Sequence, residues 1–235
     1  ATIYNYDYYP KHMEKLGGWE KDNDYVEYRL DVPETAPEKY TKIAEMVEKR
    51  YNLHARKLTK KEIFEGDYGK KLFDLINVTY SHLYGFSELS ERQIDQYVKM
   101  YFPLADLDLI TVVEDGNKDN QLVGLAITIP SLTRALQKCH RGRLFPFGWW
   151  HLLRAIKFHK TEVVDLLLIG VLPEYRSKGA NSLVFADLIP RYVKYGFKWG
   201  ETHVEMETNE SVQSQWGPLD PTMHKKRRCY RKAIG

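Results

Sequence analysis

Between Asp165 and Asn181 the chain places an apolar run, a proline, two cations and a glycine in an order that can hold an anion. Val163, Val164 and Leu166 to Ile169 are β-forming, Gly170 and Val171 follow, and Pro173 breaks the run. Arg176, Ser177, Lys178, Gly179 and Ala180 then make a short basic loop. After it Leu183, Val184, Ala186, Leu188 and Ile189 take up helical spacing. A strand, a tight loop and a helix N-terminus in that order bring free backbone N–H groups and the positive end of a helix dipole to one point. The chemistry this suits is phosphate or pyrophosphate binding. Two nucleotide sites are excluded by spacing, because the loop contains neither G-x-x-x-x-G-K-[ST] nor G-x-G-x-x-G.

Other ionisable residues are scattered. His203, Glu205 and Glu207 alternate, so a strand there carries all three on one face. The eight histidines show no ligand spacing, and no metal is expected. The basic run His224 to Lys232 invites a nucleic-acid reading, but its alternation favours a terminal strand with outward cations. No nucleic-acid partner is expected.

Several elements must position these groups. Lys11 to Leu16 is a short helix stopped by Gly17-Gly18, and Tyr25 to Leu30 a strand. Pro33 and Pro37 mark a connector to an amphipathic helix, Glu38 to Tyr51, with Ile43, Met46, Val47 and Tyr51 on one face. Leu53 to Leu58 is a strand, and Thr59 is an N-cap candidate at the head of a polar stretch. Gly69 to Tyr84 is a helix, and Ser90 with Gln93 is the capping box of the next. Asp108 to Glu114 and Leu122 to Ile129 form a hairpin. Residues 130–160 then insert a short helix, a loop and an amphipathic helix from Trp149 to Lys160, expected as a core or lid helix over an acceptor cleft, with Arg141 and Arg143 suited to an anionic substrate group. After the anion loop come a helix to about Tyr195, a strand from Thr202 to Thr208, a short helix from Ser211 to Trp216, and a last strand from His224 to Ala233.

At 235 residues, 43% hydrophobic and 29% charged, the chain has the composition of an ordinary globular protein. No apolar run approaches the ~20 residues that span a bilayer, and no membrane partner is expected. A net charge of +3 does not by itself indicate nucleic acid. Two cysteines without metal-type spacing suggest a reduced, cytoplasmic setting.

The stretch V-L-P-E-Y-R-S-K-G-A-N resembles the acyl-CoA pyrophosphate loop of the GNAT (general N-acetyltransferase) superfamily, V-x-P-x-x-[RQ]-x-x-G-x-[GA]. Val171, Pro173, Arg176 and Gly179 match it, and Asn181 stands where the family has Gly or Ala. The strand and helix order of residues 52–235 is similar to that family too. The resemblance implies an α/β fold with a mixed, mostly antiparallel, splayed sheet flanked by helices, and an insertion at 130–160. It implies acetyl-CoA or another acyl-CoA as co-substrate and a small amine or amino-acid-like molecule as acceptor. Ile169, Gly170 and Val171 would pair with the pantetheine arm. Arg176, Ser177, Lys178, Gly179, Ala180 and Asn181 would cradle the pyrophosphate, and Asn209 matches the family's Asn after the next strand. An amine nucleophile must lose a proton, and among the carboxylates near the splay Glu207 and Asp165 are the selected bases. The helix tyrosine that protonates the leaving thiolate in the family has no counterpart, since Trp216 occupies its region.

The opening helix, Gly-Gly turn and strand resemble the end of another GNAT domain. Residues 1–31 are therefore expected to be the remnant of a preceding half, with 32–51 as linker and helix. R-G-R-L-F-P-F-G and V-Q-S-Q-W resemble two-half bacterial proteins of the superfamily. A homodimer, or association with a missing N-terminal half, would cover the surfaces exposed. Asn181 and the absent helix tyrosine leave a second reading, a GNAT-fold binding or scaffold protein that does not acylate.

Overall fold

The computed structural model describes residues 4–234. In chain order the elements are α1 Tyr8–Leu16, β1 Glu20–Asp31, α2 Glu38–Tyr51, β2 Leu53–Arg56, α3 Lys60–Phe64, α4 Tyr68–Tyr80, α5 Glu91–Tyr101, β3 Ile110–Asp115 and β4 Gln121–Pro130. They continue with α6 Thr133–Gln137, α7 Gly148–Phe158, β5 Val163–Val171, α8 Pro173–Arg176, α9 Ala180–Tyr195, β6 Trp199–Thr202, β7 Glu205–Met206, α10 Glu210–Gln213 and β8 Thr222–Arg231.

Local chemistry sets many of these ends. Thr59 and Glu62 form a reciprocal capping box on α3, and Ser90 and Gln93 do the same on α5. Asn52 ends α2 in the left-handed conformation at φ 55°. The buried face of α2 is Tyr40, Ala44 and Val47, while Met46, expected inside, is exposed.

The sheet runs β2-β3-β4-β5-β6-β1, with β7 continuing the line of β6 beside β1 and β8 on the far edge of β1. Every pairing is antiparallel except β5 with β6. This is the mixed, mostly antiparallel, helix-flanked sheet the sequence implies. Helices α4, α2 and α9 supply much of the core, where Leu72, Val47, Leu183 and Leu188 meet Val112 and Leu125.

Several boundaries differ from the sequence reading, β1 for one running over Glu20–Asp31 and α7 over Gly148–Phe158. The helix of α4 stops at Tyr80, four residues early, and turns to Gly85 (φ 72°). The strand of β2 ends at Arg56 rather than Leu58. The strand expected over 202–208 is broken, because His203 and Val204 leave the ladder between β6 and β7. The last strand begins at Thr222 and ends at Arg231. The strand of residues 1–31 is built into the sheet, with β1 lying between β6/β7 and β8.

That interior position rests on an ion-pair network. Asp24, its side chain fully buried, takes two 2.8 Å hydrogen bonds from the Arg228 guanidinium and ion pairs from Lys226 (2.9 Å) and Lys21 (3.3 Å). Glu27 pairs with Lys225 and Arg227, and Lys225 also reaches Glu201. The basic run is therefore neutralised by carboxylates of the neighbouring strands. Glu27, Glu201 and His224 also fall within metal-chelating distance of one another, but both carboxylates already face lysine or arginine.

Arg228 holds the Asp24 carboxyl well below the usual carboxylate range. Depression of the folded-state value means the stabilisation is present above the unfolded value of about 4 and is lost as pH falls below it. Asp24→Asn is expected to cost about 2–4 kcal/mol at neutral pH, somewhat less than the ~3–5 kcal/mol of a fully buried pair because its partners are partly exposed. Urea unfolding of both proteins should show the gap narrowing steadily as pH is lowered towards 3; a gap independent of pH would contradict this account.

Candidate functional site

The parallel pairing of β5 with β6 ends at Leu166 opposite Thr202, and a last bond from His203 N–H to Leu166 O (3.1 Å) closes it. Beyond it β5 continues to Val171 paired with β4 on one edge and no longer with β6 on the other. A register shift against β4 between Ile127 and Thr128 leaves Leu167 as an extra residue, a β-bulge that bends β5 away from β6. Consequently Leu166 to Ile169 are only half-buried, although their sequence reads as a core strand. The strands diverge around a cleft of about 560 Å³, within the ~300–1,000 Å³ of small-molecule sites.

A diverging strand exposes backbone groups, and here other residues satisfy them. Tyr80, the last residue of α4, puts its hydroxyl on the free edge of β5, donating to Ile169 O (3.0 Å) and accepting from Ile169 N–H (3.2 Å). Arg176 Nε donates to Val171 O (3.0 Å). Strand alternation turns the backbone of Gly170 towards β4 instead, where it lies opposite Leu125. Gly170 contributes by lacking a side chain, since a Cβ would come within 2.7 Å of Thr79 Oγ1.

The anion loop has the expected course. Tyr175, fully buried, anchors it by donating to Asp115 Oδ2 (2.7 Å), and Lys178 Nζ lies 4.1 Å from the Tyr175 ring centre. Gly179 adopts φ 84°, and a Cβ there would meet Ile43 of α2 at 2.9 Å. Lys178 and Gly179 N–H close local turns onto Tyr175 O and Arg176 O. The N–H groups of Ala180 and Asn181 lie in the first turn of α9, which has no intrahelical acceptor for them. Ser177 is exposed beside them. Asn181 lines the cleft, and its Oδ1 is buried without a hydrogen-bond partner among the described residues. Its amide can turn either an acceptor or a donor to a ligand, so an elongated molecule carrying both phosphate and amide groups suits loop and edge together.

The carboxylates divide. Asp165 sits on the paired part of β5, opposite Glu201 and before the divergence, and burial raises its pKa. Glu207 lies at the β1/β8 network, held by Lys21 and Lys226. Neither is among the cleft residues. Glu205 is: it is 9% exposed, on β7, and both carboxylate oxygens accept from Trp216 Nε1 (3.0 and 3.2 Å). Burial pushes its pKa up to about 7, against the pull of the Trp216 and Thr202 hydrogen bonds. Tyr80 also borders the cleft; burial, countered by the Ile169 backbone bond and reinforced by Glu205, pushes its hydroxyl up to about 12. Asn209 stands just before α10 at the cleft rim, its Oδ1 accepting from the Ser211 hydroxyl (3.1 Å) and not from a backbone N–H of the helix.

Sequence reasoning weighed Glu205 and set it aside, and it missed Tyr80 altogether. β7 ends at Met206, so Glu207 lies beyond the strand that carries Glu205. The Trp216 indole in place of a hydroxyl was the available hint, since a buried indole N–H needs an acceptor.

No family model matches the chain. It is 24% identical over 175 residues to a bacterial ceramide synthase of Caulobacter vibrioides, covering 69% of this chain and 42% of that protein. It is 23% identical over 167 residues to protein YghO of Escherichia coli, with the same two coverages. The chain thus spans less than half the length of these curated relatives. A GCN5-related N-acetyltransferase from Sphaerobacter thermophilus superposes with a TM-score of 0.59 over 95% of this chain and 55% of that one, at 11% identity. The fold is that of the GCN5-related N-acetyltransferases.

If burial raises Glu205, its carboxyl should titrate near pH 7 in side-chain ¹³C NMR, more than two units above the reference ~4.3 of glutamate. Trp216→Phe, which removes a hydrogen bond to the charged form, should move the midpoint higher still. A midpoint below 5 in the parent chain would remove Glu205 as a base for neutral pH.

Proposed function

We propose that the chain is an acyl-CoA-dependent N-acyltransferase acting on an amine acceptor, small or amino-acid-like, with acetyl-CoA the first donor to test. The observation that carries this reading is the free edge of β5 beside a buried carboxyl poised near pH 7. The relative named as a ceramide synthase agrees with it, since a ceramide is the amide of an amine.

Bound acyl-CoA would supply a thioester whose C–S bond breaks as the C–N bond to the amine forms. The β5 edge at Ile169 and Val171 would orient it, and the loop from Arg176 to Asn181 would meet its pyrophosphate. Glu205, ionised above pH 7, would take the proton the amine loses. Tyr80, whose hydroxyl already touches the edge, would return a proton to the departing thiolate and so fill the role left by the missing helix tyrosine. The Ile169 N–H that Tyr80 releases would then be free for the thioester carbonyl. Holding amine and thioester together would supply much of the rate.

The same edge favours a second reading. Tyr80 and Arg176 already satisfy the groups a pantetheine would pair with, as a binding or scaffold protein that does not acylate would require. Thermal unfolding with acyl-CoAs of increasing chain length separates the two. Saturation near 100 times Kd stabilises by about 2.7 kcal/mol, a shift of several degrees that should vanish in the exposed-loop variant Ser177→Glu. The enzyme reading also requires release of free thiol with an amine present; a chain that binds but releases none is the scaffold.

For the enzyme, kcat/KM should rise with pH through about 7. Glu205→Gln should abolish that limb and lower the rate by roughly 10²–10⁴-fold. Tyr80→Phe should lower KM for the donor, because the edge no longer has to be vacated, while lowering kcat by at least ~10-fold. An unchanged KM with reduced kcat would show that Tyr80 does not occupy the donor's place.

A further inference from the structure

The helical insertion is inverted in its burial. Its buried residues are mainly small, Ala135, Cys139, Gly148 and Ala155, while Leu136, Leu144, Phe145, Phe147, Trp149, Trp150 and Phe158 are exposed. Phe145 and Phe147 are 76% and 71% exposed. The insertion is nonetheless well held. Cys139 Sγ approaches Ala135 O (3.4 Å) and Gly148 O (3.6 Å), and His159 at the end of α7 stacks on Tyr195 at 3.9 Å and meets Asp106 at 2.7 Å. None of residues 131–160 lines the cleft, so the insertion is not the lid the sequence suggests.

Its charge is equally one-sided. Residues 131–160 contain seven Lys and Arg and no carboxylate, leaving 28 Lys and Arg against 32 Asp and Glu in the rest of the chain. On α7, Trp150, Arg154, Lys157 and Phe158 share about 100° of arc at ~3.6 residues per turn, away from the buried Gly148 and Ala155. Exposed Trp and Phe interleaved with cations, on a firmly anchored helix lacking acid, is the pattern of a surface that lies in a bilayer interface. No helix of the described residues is long and apolar enough to cross a membrane. A second copy is a poor occupant, because a self-facing contact would set seven cations against seven with no carboxylate between them.

We propose that the 132–158 insertion is a docking surface for an anionic lipid bilayer. Phe145, Phe147 and Trp150 enter the headgroup region, and Arg141, Arg143 and Lys157 meet lipid phosphates. This departs from the expectation of no membrane partner, and it stands whether or not the cleft acylates.

The test is sedimentation of the 235-residue chain with vesicles of phosphatidylcholine alone or mixed with phosphatidylserine. The variants are Phe145→Ser with Phe147→Ser, and Arg141→Glu with Arg143→Glu; all four positions are exposed, so both should melt like the parent. Binding to the mixed vesicles is expected to weaken at least ~10-fold in each variant and on neutral lipid. It should also weaken as salt rises from about 0.1 M to about 1 M and the screening length falls from ~10 to ~3 Å. No sedimentation with either vesicle, or sedimentation indifferent to both variants, overturns the proposal. So does capture of a single-stranded oligonucleotide in place of lipid, or a dimer in gel filtration that the Phe variant dissolves while no lipid is bound.

Discussion

The structure depends on one parting of strands. A sheet that opens in its interior creates two backbone edges where water, a ligand or a side chain must supply hydrogen bonds. Here the opening is made by ending the β5–β6 ladder at Leu166 and by the bulge at Leu167. The surroundings of the cleft then answer that constraint. Tyr80 satisfies Ile169, Arg176 satisfies Val171, and Gln213 Nε2 donates to Met206 O and Glu207 O on the facing side. A ligand that is to pair with these backbone groups must first displace the side chains that hold them.

The far side of the sheet solves a different problem. β1 carries Asp24 and Glu27 buried in its middle, and β8 brings the cations that make this tolerable. Each carboxylate is engaged by more than one cation, so its desolvation is offset by several charge-assisted bonds. Glu207 belongs to this network, which is why a strand face that looks uniform in sequence holds one carboxylate for structure and another, Glu205, for the cleft.

Much of the fold was legible because it is written locally. The bounds of α2, the capping boxes at Thr59 and Ser90, and the strand-loop-helix order around Gly179 depend on residues within a few positions of one another. The site was less legible because it is assembled across the chain. Tyr80 reaches Ile169 over 89 residues, and Trp216 holds Glu205 through its indole N–H. Alternation places Glu205 and Glu207 on one face, but β7 ends at Met206 and Glu207 lies beyond it, held by Lys21 and Lys226. The burial of the insertion failed the usual rule outright. Its helical period was readable, but the period does not say that Ala135 and Ala155 face inward while Trp150 faces out.

The interior place of β1 also bears on how the molecule comes into being. Asp24 and Arg228 are 204 residues apart, so during synthesis β1 leaves the ribosome long before its partner strands exist. Until then it lacks the strands that flank it here, and Asp24 and Glu27 lack the cations of β8. Pairing strands so far apart in sequence raises the contact order, which in general slows folding. In the interval β1 is a strand that a neighbouring nascent chain can pair with, and its acidic residues, not yet neutralised, discourage that encounter by repulsion between like chains.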